Sequence, residues 1–171
     1  MAKISVFGIG YVGVVSAACL AQDGHEVIAV DVDPGKIDAI NRGQSPIVEE
    51  GIDELVRAMA ATGRLRATRD AEHAIHNTDL SFVCVGTPSA PDGSVGLRYV
   101  TSVCETIGKA LATRDGFHSV IIRSTIVPGS TEDACIPVLE QTSGKTAGSD
   151  FGVGYFPEFL RESTAIKDNY D

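Results

Sequence analysis

Three glycines, Gly8, Gly10 and Gly13, stand between a short β-rich apolar run, Lys3 to Phe7, and a helical pattern of small residues from about Tyr11 to Gln22. That order of strand, tight turn and helix restricts the chain more than any other feature. The first glycine permits the turn, the second lets a ligand approach bare backbone, and the third lets helix and strand pack closely. Asp23-Gly24 closes the helix, and Glu26 to Val32 reads as a second strand. The right-handed crossover of such a βαβ unit makes its strands parallel. Asp31 ends the second strand eighteen residues past Gly13, where a carboxylate can accept both hydroxyls of a ribose. With a helix N-terminus ready for a diphosphate, the unit predicts a bound dinucleotide. An acid at position 31 would leave a 2′-phosphate facing a like charge, which favours NAD over NADP.

Downstream, the alternation continues. Pro34 suits the first turn of a helix running to Asn41, and Gly43 ends it. Ile52, Leu55, Val56 and Met59 recur at the spacing of an amphipathic helix ending near Gly63. Arg64 to Thr68 reads as a short strand, Ala71 to His76 as a helical turn, and Leu80 to Val85 as a strand covered on both faces. An exposed loop, Thr87 to Gly96 with Asp92-Gly93, precedes a helix from about Leu97 to Ala112. Then follow a strand from His118 to Ile122, a loop from Ser124 to Gly129, a helix from about Ser130 to Gln141, a strand near Phe151 to Tyr155 and a helix starting after Pro157. The expectation is one domain over residues 1–171, an α/β fold whose doubly wound, mainly parallel sheet is of the Rossmann type.

Composition sets the other limits. At 43% hydrophobic and 22% charged residues, the 171-residue chain can bury one sizeable core. Fourteen Lys and Arg against 23 Asp and Glu give a net charge of -9, a field that repels phosphate backbones and anionic lipids, so no nucleic-acid partner is expected. No apolar run approaches the roughly 20 residues of a membrane span, and the N-terminus lacks a signal-peptide pattern, so the reading is a cytoplasmic protein with no membrane partner. Cys19, Cys84, Cys104 and Cys135 are widely spaced in apolar stretches and read as free buried thiols. Neither they nor His25, His73, His76 and His118 show metal-ligand spacing, and no metal is expected.

Several further side chains fall at the sheet edge where open α/β sheets bind ligands. Thr87 follows the Leu80 to Val85 strand and reads either as a turn hydroxyl or as a cofactor contact. Thr125, after the next strand, is the hydroxyl best placed for chemistry. Lys36 either bonds the same ribose as Asp31 or is solvated on its helix. Glu158 and Glu162 share one helical face if a helix starts at Pro157. That pair either holds a water or substrate hydroxyl as a general base, or forms a solvated acidic face.

Taken together, FGIGYVG (7–13), VIAVDVDPGKI (27–37), INRGQSPIVEEGI (40–52), FVCVGTPS (82–89), RSTIVPGS (123–130) and PEFLRESTAIKD (157–168) resemble the UDP-glucose/GDP-mannose dehydrogenase family of nucleotide-sugar dehydrogenases. Within it the likeness is greater to the GDP-mannose-oxidising branch than to the UDP-glucose branch. The resemblance implies the NAD-binding portion of an enzyme of polysaccharide biosynthesis, alginate included. That enzyme oxidises the C6 hydroxyl of a nucleotide sugar to a carboxylate with two NAD in succession, through a cysteine-bound intermediate. It further implies that Gly8, Ile9, Gly10, Tyr11, Val12 and Gly13, with Asp31 and Lys36, hold the adenosine and diphosphate, and that Thr87 and Thr125 lie along the cofactor. Thr125 and Glu158 would serve the water or general base, and Glu162 the nicotinamide side of the sugar pocket.

Phe156 departs from the asparagine that usually precedes Pro-Glu-Phe-Leu in the family, which bears on how Glu158 is positioned. The family's nucleophilic cysteine and its sugar-nucleotide domain fall beyond Asp171, and the complete enzyme is expected to be a homo-oligomer. Without that part, the helix continuing past Ile166 is expected to leave an apolar face bare and to favour self-association. A non-catalytic NAD-binding module is the alternative. Either way NAD should raise the melting temperature of the isolated chain, while GDP-mannose plus NAD should yield no NADH; appreciable NADH would contradict the second expectation.

Overall fold

Alternation along the first two strands decides the layering. In β1 (Lys3–Phe7), Ile4 and Val6 enter one hydrophobic layer and Phe7 the other. In β2 (Glu26–Val30), Val27 and Ala29 join the first layer, and Ile28 and Val30 the second. This two-residue period buries both faces of the sheet. The computed structural model describes residues 1–89 and 95–170, so the expected Asp92-Gly93 turn lies outside the described residues.

The first layer is closed by α1 (Tyr11–Gln22), α2 (Pro34–Asn41) and α3 (Ile52–Ala61), and the second by α4 (Ala71–His76), α5 (Arg98–Ala112) and α6 (Ile136–Ser143). With β3 (Leu65–Thr68), β4 (Leu80–Val83), β5 (Ser119–Ile122) and β6 (Gly152–Tyr155), the six strands lie in the order β3-β2-β1-β4-β5-β6, every pair parallel. The chain steps outward from β1 to β3 and returns to β4 on the other side of β1. That reversal opens a crevice beyond the carboxyl ends of β1 and β4, at the switch point of the fold. Among the described residues no helix is long and apolar enough to cross a membrane.

Five local expectations change. The second and fourth strands end at Val30 and Val83, two residues earlier than their apolar runs, so Asp31 is the first residue past β2. The helix expected from Ser130 begins as a π-helical turn, Thr131–Cys135, before α6. Pro137 accounts for it, because its ring lacks an N–H and crowds the carbonyl four residues earlier. No helix starts at Pro157, so Glu158 and Glu162 do not share a helical face. Glu158 instead accepts the Leu160 N–H at 2.9 Å, and Ser163 takes a left-handed conformation at φ 72°. The helix that does form, α7 (Ala165–Asp168), is not left bare. Ala165 is buried and Ile166 packs against the α1 layer.

Across the sheet from the crevice runs a buried polar chain. The fully buried His118 imidazole lies 3.1 Å from the Thr78 carbonyl through Nδ1, so that nitrogen carries the proton. Nε2 then accepts the Ser81 hydroxyl at 2.7 Å, and Ser81 Oγ in turn accepts the Ser5 hydroxyl at 2.6 Å. Burial, aided by the Arg114 charge, lowers the His118 pKa to about 4. The unfolded chain therefore protonates first as pH falls below about 6.5. Stability from this residue is complete above that pH and is lost as pH falls through 4, by roughly 3 kcal/mol. Urea titrations from pH 7 to 3.5 should show that slope in the wild type, and His118→Gln should reduce it by about that amount; an unchanged slope would contradict the assignment.

Candidate cofactor-binding site

The turn after β1 is shaped by what its glycines exclude. Gly8 has φ 99°, a left-handed conformation, and a Cβ there would stand 2.9 Å from the Cys84 carbonyl oxygen. A Cβ on Gly13 would overlap the carbonyl oxygen of Gly8, so α1 can approach β1 only without a side chain at that position. Gly10 differs. Its φ of −90° suits any residue, and a Cβ there would meet nothing within 4 Å. Gly10 is also the N-cap of α1, with no side chain capping the first-turn N–H groups. These donors and the helix dipole face the open space above Gly10, as an anion site requires.

Asp31 ties this turn to the tip of β2. Its Oδ2 accepts the Ile9 N–H at 2.6 Å and its Oδ1 accepts the Asp33 N–H at 2.9 Å. The side chain is 11% exposed, with Lys36 Nζ 4.0 Å away. Each carboxylate oxygen uses one lone pair on backbone and keeps another for a ligand. Beside it lies a cavity of about 340 Å³ lined by Gly8, Asp31, Val32, Val85, Gly86 and Tyr99. Val32 and Tyr99 are exposed there and give a flat ring apolar surface.

Val85 and Gly86 also line a second cavity of about 250 Å³, with Gly10, Tyr11, Val12, Thr87, Thr125 and Glu158 around it. The Thr87 hydroxyl donates to the Thr125 carbonyl at 2.8 Å, and the Ser124 hydroxyl to the Val85 carbonyl at 2.6 Å, fastening the loops after β4 and β5 together. The two cavities form one crevice along the sheet edge. It gathers Gly8, Asp31, Gly10, Tyr11, Val12, Thr87, Thr125 and Glu158, with Ile9 and Lys36 held through Asp31. Glu162 stands outside it, exposed in the turn before α7. Cys84 also lines the second cavity, but burial pushes its thiol up to about 12, so it stays protonated and inert.

Arg123 was not singled out by sequence reasoning, although a charge at the end of the apolar Val120–Ile122 run is a readable signal. It is buried, with its guanidinium 4.7 Å above the Phe156 ring and Nη2 donating to Asn169 at 3.2 Å. Phe156, also tilted against Phe82, thus gives the Arg123 charge a cation–π contact.

The chain is similar to known proteins over almost its whole length. The profile of the "UDP-glucose/GDP-mannose dehydrogenase family, NAD binding domain" matches residues 2–171. The chain is 54% identical over 169 residues to GDP-mannose 6-dehydrogenase of Pseudomonas aeruginosa, covering 99% of this chain and 38% of that protein. It is 43% identical over 167 residues to UDP-glucose 6-dehydrogenase of Rhizobium meliloti, covering 97% and 37%. Among solved structures, a ternary complex of GDP-mannose dehydrogenase from Pseudomonas aeruginosa superposes with a TM-score of 0.95 at 54% identity, covering 97% and 38%. A UDP-glucose dehydrogenase from Pyrobaculum islandicum gives 0.94 at 39%, covering 100% and 39%. The chain thus spans 38% of the length of the Pseudomonas relative.

The glycines offer a paired test. Gly10→Ala should keep the wild-type melting temperature within about 2 °C yet lose NAD binding, because its methyl fills the anion space. Gly13→Ala should be destabilised by at least about 2 kcal/mol before any ligand is added, because it must push α1 off β1. Equal melting temperatures for the two variants would contradict the turn's assigned roles.

Proposed function

The chain belongs to the UDP-glucose/GDP-mannose dehydrogenase family as its NAD-binding domain, and we propose that residues 1–171 form one domain, the amino-terminal part of a longer GDP-mannose 6-dehydrogenase. The observation that carries this reading is the single crevice in which the Asp31 carboxylate, the uncapped α1 N-terminus and the Thr125–Glu158 cavity lie in sequence. The fraction of each relative that is matched supports a longer enzyme, and the higher identity to GDP-mannose than to UDP-glucose oxidisers supports the sugar. The complete enzyme is read as a cytoplasmic homo-oligomer of alginate-type polysaccharide biosynthesis. That compartment keeps thiols such as the four free cysteines reduced.

The overall reaction takes a primary alcohol, water and two NAD to a carboxylate, two NADH and three protons. Bound NAD supplies the hydride acceptor. Gly10, Tyr11, Val12 and Gly13 would offer the backbone N–H groups at the start of α1 to the diphosphate, while Gly8 and Ile9, whose own N–H groups bond the Val30 carbonyl and Asp31, shape the turn beneath it. Asp31 accepts the adenosine ribose hydroxyls, and Lys36 approaches the same ribose. Thr87 and Thr125 flank the nicotinamide half. Thr125 and Glu158 hold the water or remove its proton, while Glu162, outside the cofactor crevice, is assigned to the sugar side.

Two measurements test this. Calorimetric titration should give NAD at least about 100-fold tighter binding than NADP, a difference near 2.7 kcal/mol, and Asp31→Ala should narrow that ratio while weakening NAD. Equal affinities in the wild type would refute the role of Asp31. In the longer enzyme, Glu158→Gln should lower kcat by about 100-fold with NAD affinity nearly unchanged. Undiminished turnover would remove Glu158 from the chemistry.

A further inference from the structure

Glu49 lies in the loop between α2 and α3, and nothing in the cofactor reading uses it. Its carboxylate nevertheless gathers three protein donors. Oε2 accepts the Tyr11 hydroxyl at 2.6 Å and the Ser163 N–H at 2.8 Å, and Oε1 accepts the Ala165 N–H at 3.0 Å. One side chain therefore joins the first residue of α1, whose backbone faces the diphosphate space, to the segment immediately downstream of Glu158.

The charges favour a durable link. The Tyr11 hydroxyl holds the Glu49 carboxyl below the usual carboxylate range against the opposing effect of desolvation, and the Ser163 and Ala165 N–H groups add to it. Desolvation and the Glu49 charge together push the Tyr11 phenol above the ordinary tyrosine range, so it stays a donor at any physiological pH. The bond is charge-assisted, which makes it shorter and stronger than a neutral one.

The segment it reaches is itself closely tied. Arg161 pairs with Asp168 through Nη2 at 2.6 Å and Nε at 3.1 Å, its own N–H donates to Asp168 at 3.0 Å, and the Thr164 hydroxyl does so at 2.9 Å. Ser163, whose N–H Glu49 holds, is the one non-glycine residue with positive φ among the described residues. A strained residue of this kind persists only where its surroundings over-determine it. Leu160 and Ile166 pack on the same layer as Tyr11 and Val12. Residues 160–168 are thus held together, and Glu49 supplies the shortest polar tie between that segment and the cofactor helix, beside a longer contact of the Tyr11 hydroxyl with the Arg161 carbonyl at 3.3 Å.

We propose that Glu49 is a positioning residue that couples occupancy of the diphosphate cradle to the placement of the Glu158-bearing segment. This rests on the NAD reading above. When a diphosphate binds the first turn of α1, Tyr11 loses freedom, its hydroxyl fixes the Glu49 carboxylate, and that carboxylate orders Ser163 and Ala165. Binding at one end lowers the entropy cost of holding the acid at the other. Glutamine cannot replace the carboxylate, because its single carbonyl oxygen cannot serve donors arriving at two oxygens and its NH₂ opposes an incoming N–H.

Hydrogen–deuterium exchange of the 171-residue chain with and without NAD tests this. In the wild type, NAD should slow exchange at 8–13 and also at 161–165. In Glu49→Gln, NAD should still slow 8–13, while 161–165 exchanges at least about tenfold faster than wild type and no longer responds to NAD. A merely structural contact would raise basal exchange and leave the response to NAD intact, which would overturn the proposal. Wild-type protection at 8–13 alone would also overturn it, whether or not the variant folds. Protection at neither stretch would overturn the cofactor reading together with the coupling.

Discussion

The carboxylate of Asp31 accepts an N–H from the glycine turn and another from the start of the next loop, and the crevice is laid out around that junction. Ile9, on the turn, and Asp33, whose side chain caps α2 through the Gly35 N–H at 2.8 Å, are both fixed by one side chain. Because these donors occupy only part of its lone-pair capacity, the same group can hold the turn in shape and still receive ligand hydroxyls. One side chain can thus serve as scaffold and as recognition group at once.

What brings that junction within reach of the diphosphate space is the close approach of α1 to β1. Eight of the twelve residues of α1 are buried, most of them small, because the helix is wedged between the sheet and α3, with α7 against it as well. The missing Cβ of Gly13 sets the distance, and that distance places the helix N-terminus over the switch point. From there Tyr11 continues outward to Glu49 and the 161–165 segment, so the cofactor cradle and the acid that follows β6 share one frame.

Much of this is legible in the sequence because it is local. The three glycines, the acid eighteen residues on and the Gly-Thr and Ser-Thr pairs after apolar strands each reflect a nearby backbone requirement, and the parallel pairing of the strands follows from alternation and handedness. The failures are non-local. Pro157-Glu158 followed by Glu162 has the spacing of a helix start, but a glutamate more than a hundred residues earlier takes the Ser163 and Ala165 amides and stabilises a turn instead. The π-helical turn at Thr131–Cys135 was foreshadowed only by Pro137 inside an otherwise helical pattern. The buried Ser5–Ser81–His118 chain joins β1, β4 and the residue before β5, and its register is set only once the strands pair. Arg123, at the head of the RSTIVPGS segment, and Glu49, within a loop, gain their meaning from partners distant in the chain.

A crystal structure of the chain grown with saturating NAD tests the central claim most directly. The account predicts both adenosine ribose hydroxyls within about 2.6–3.2 Å of the Asp31 carboxylate and the diphosphate on the first-turn N–H groups of α1 above Gly10. An empty crevice, or a dinucleotide bound with its diphosphate elsewhere, would contradict it.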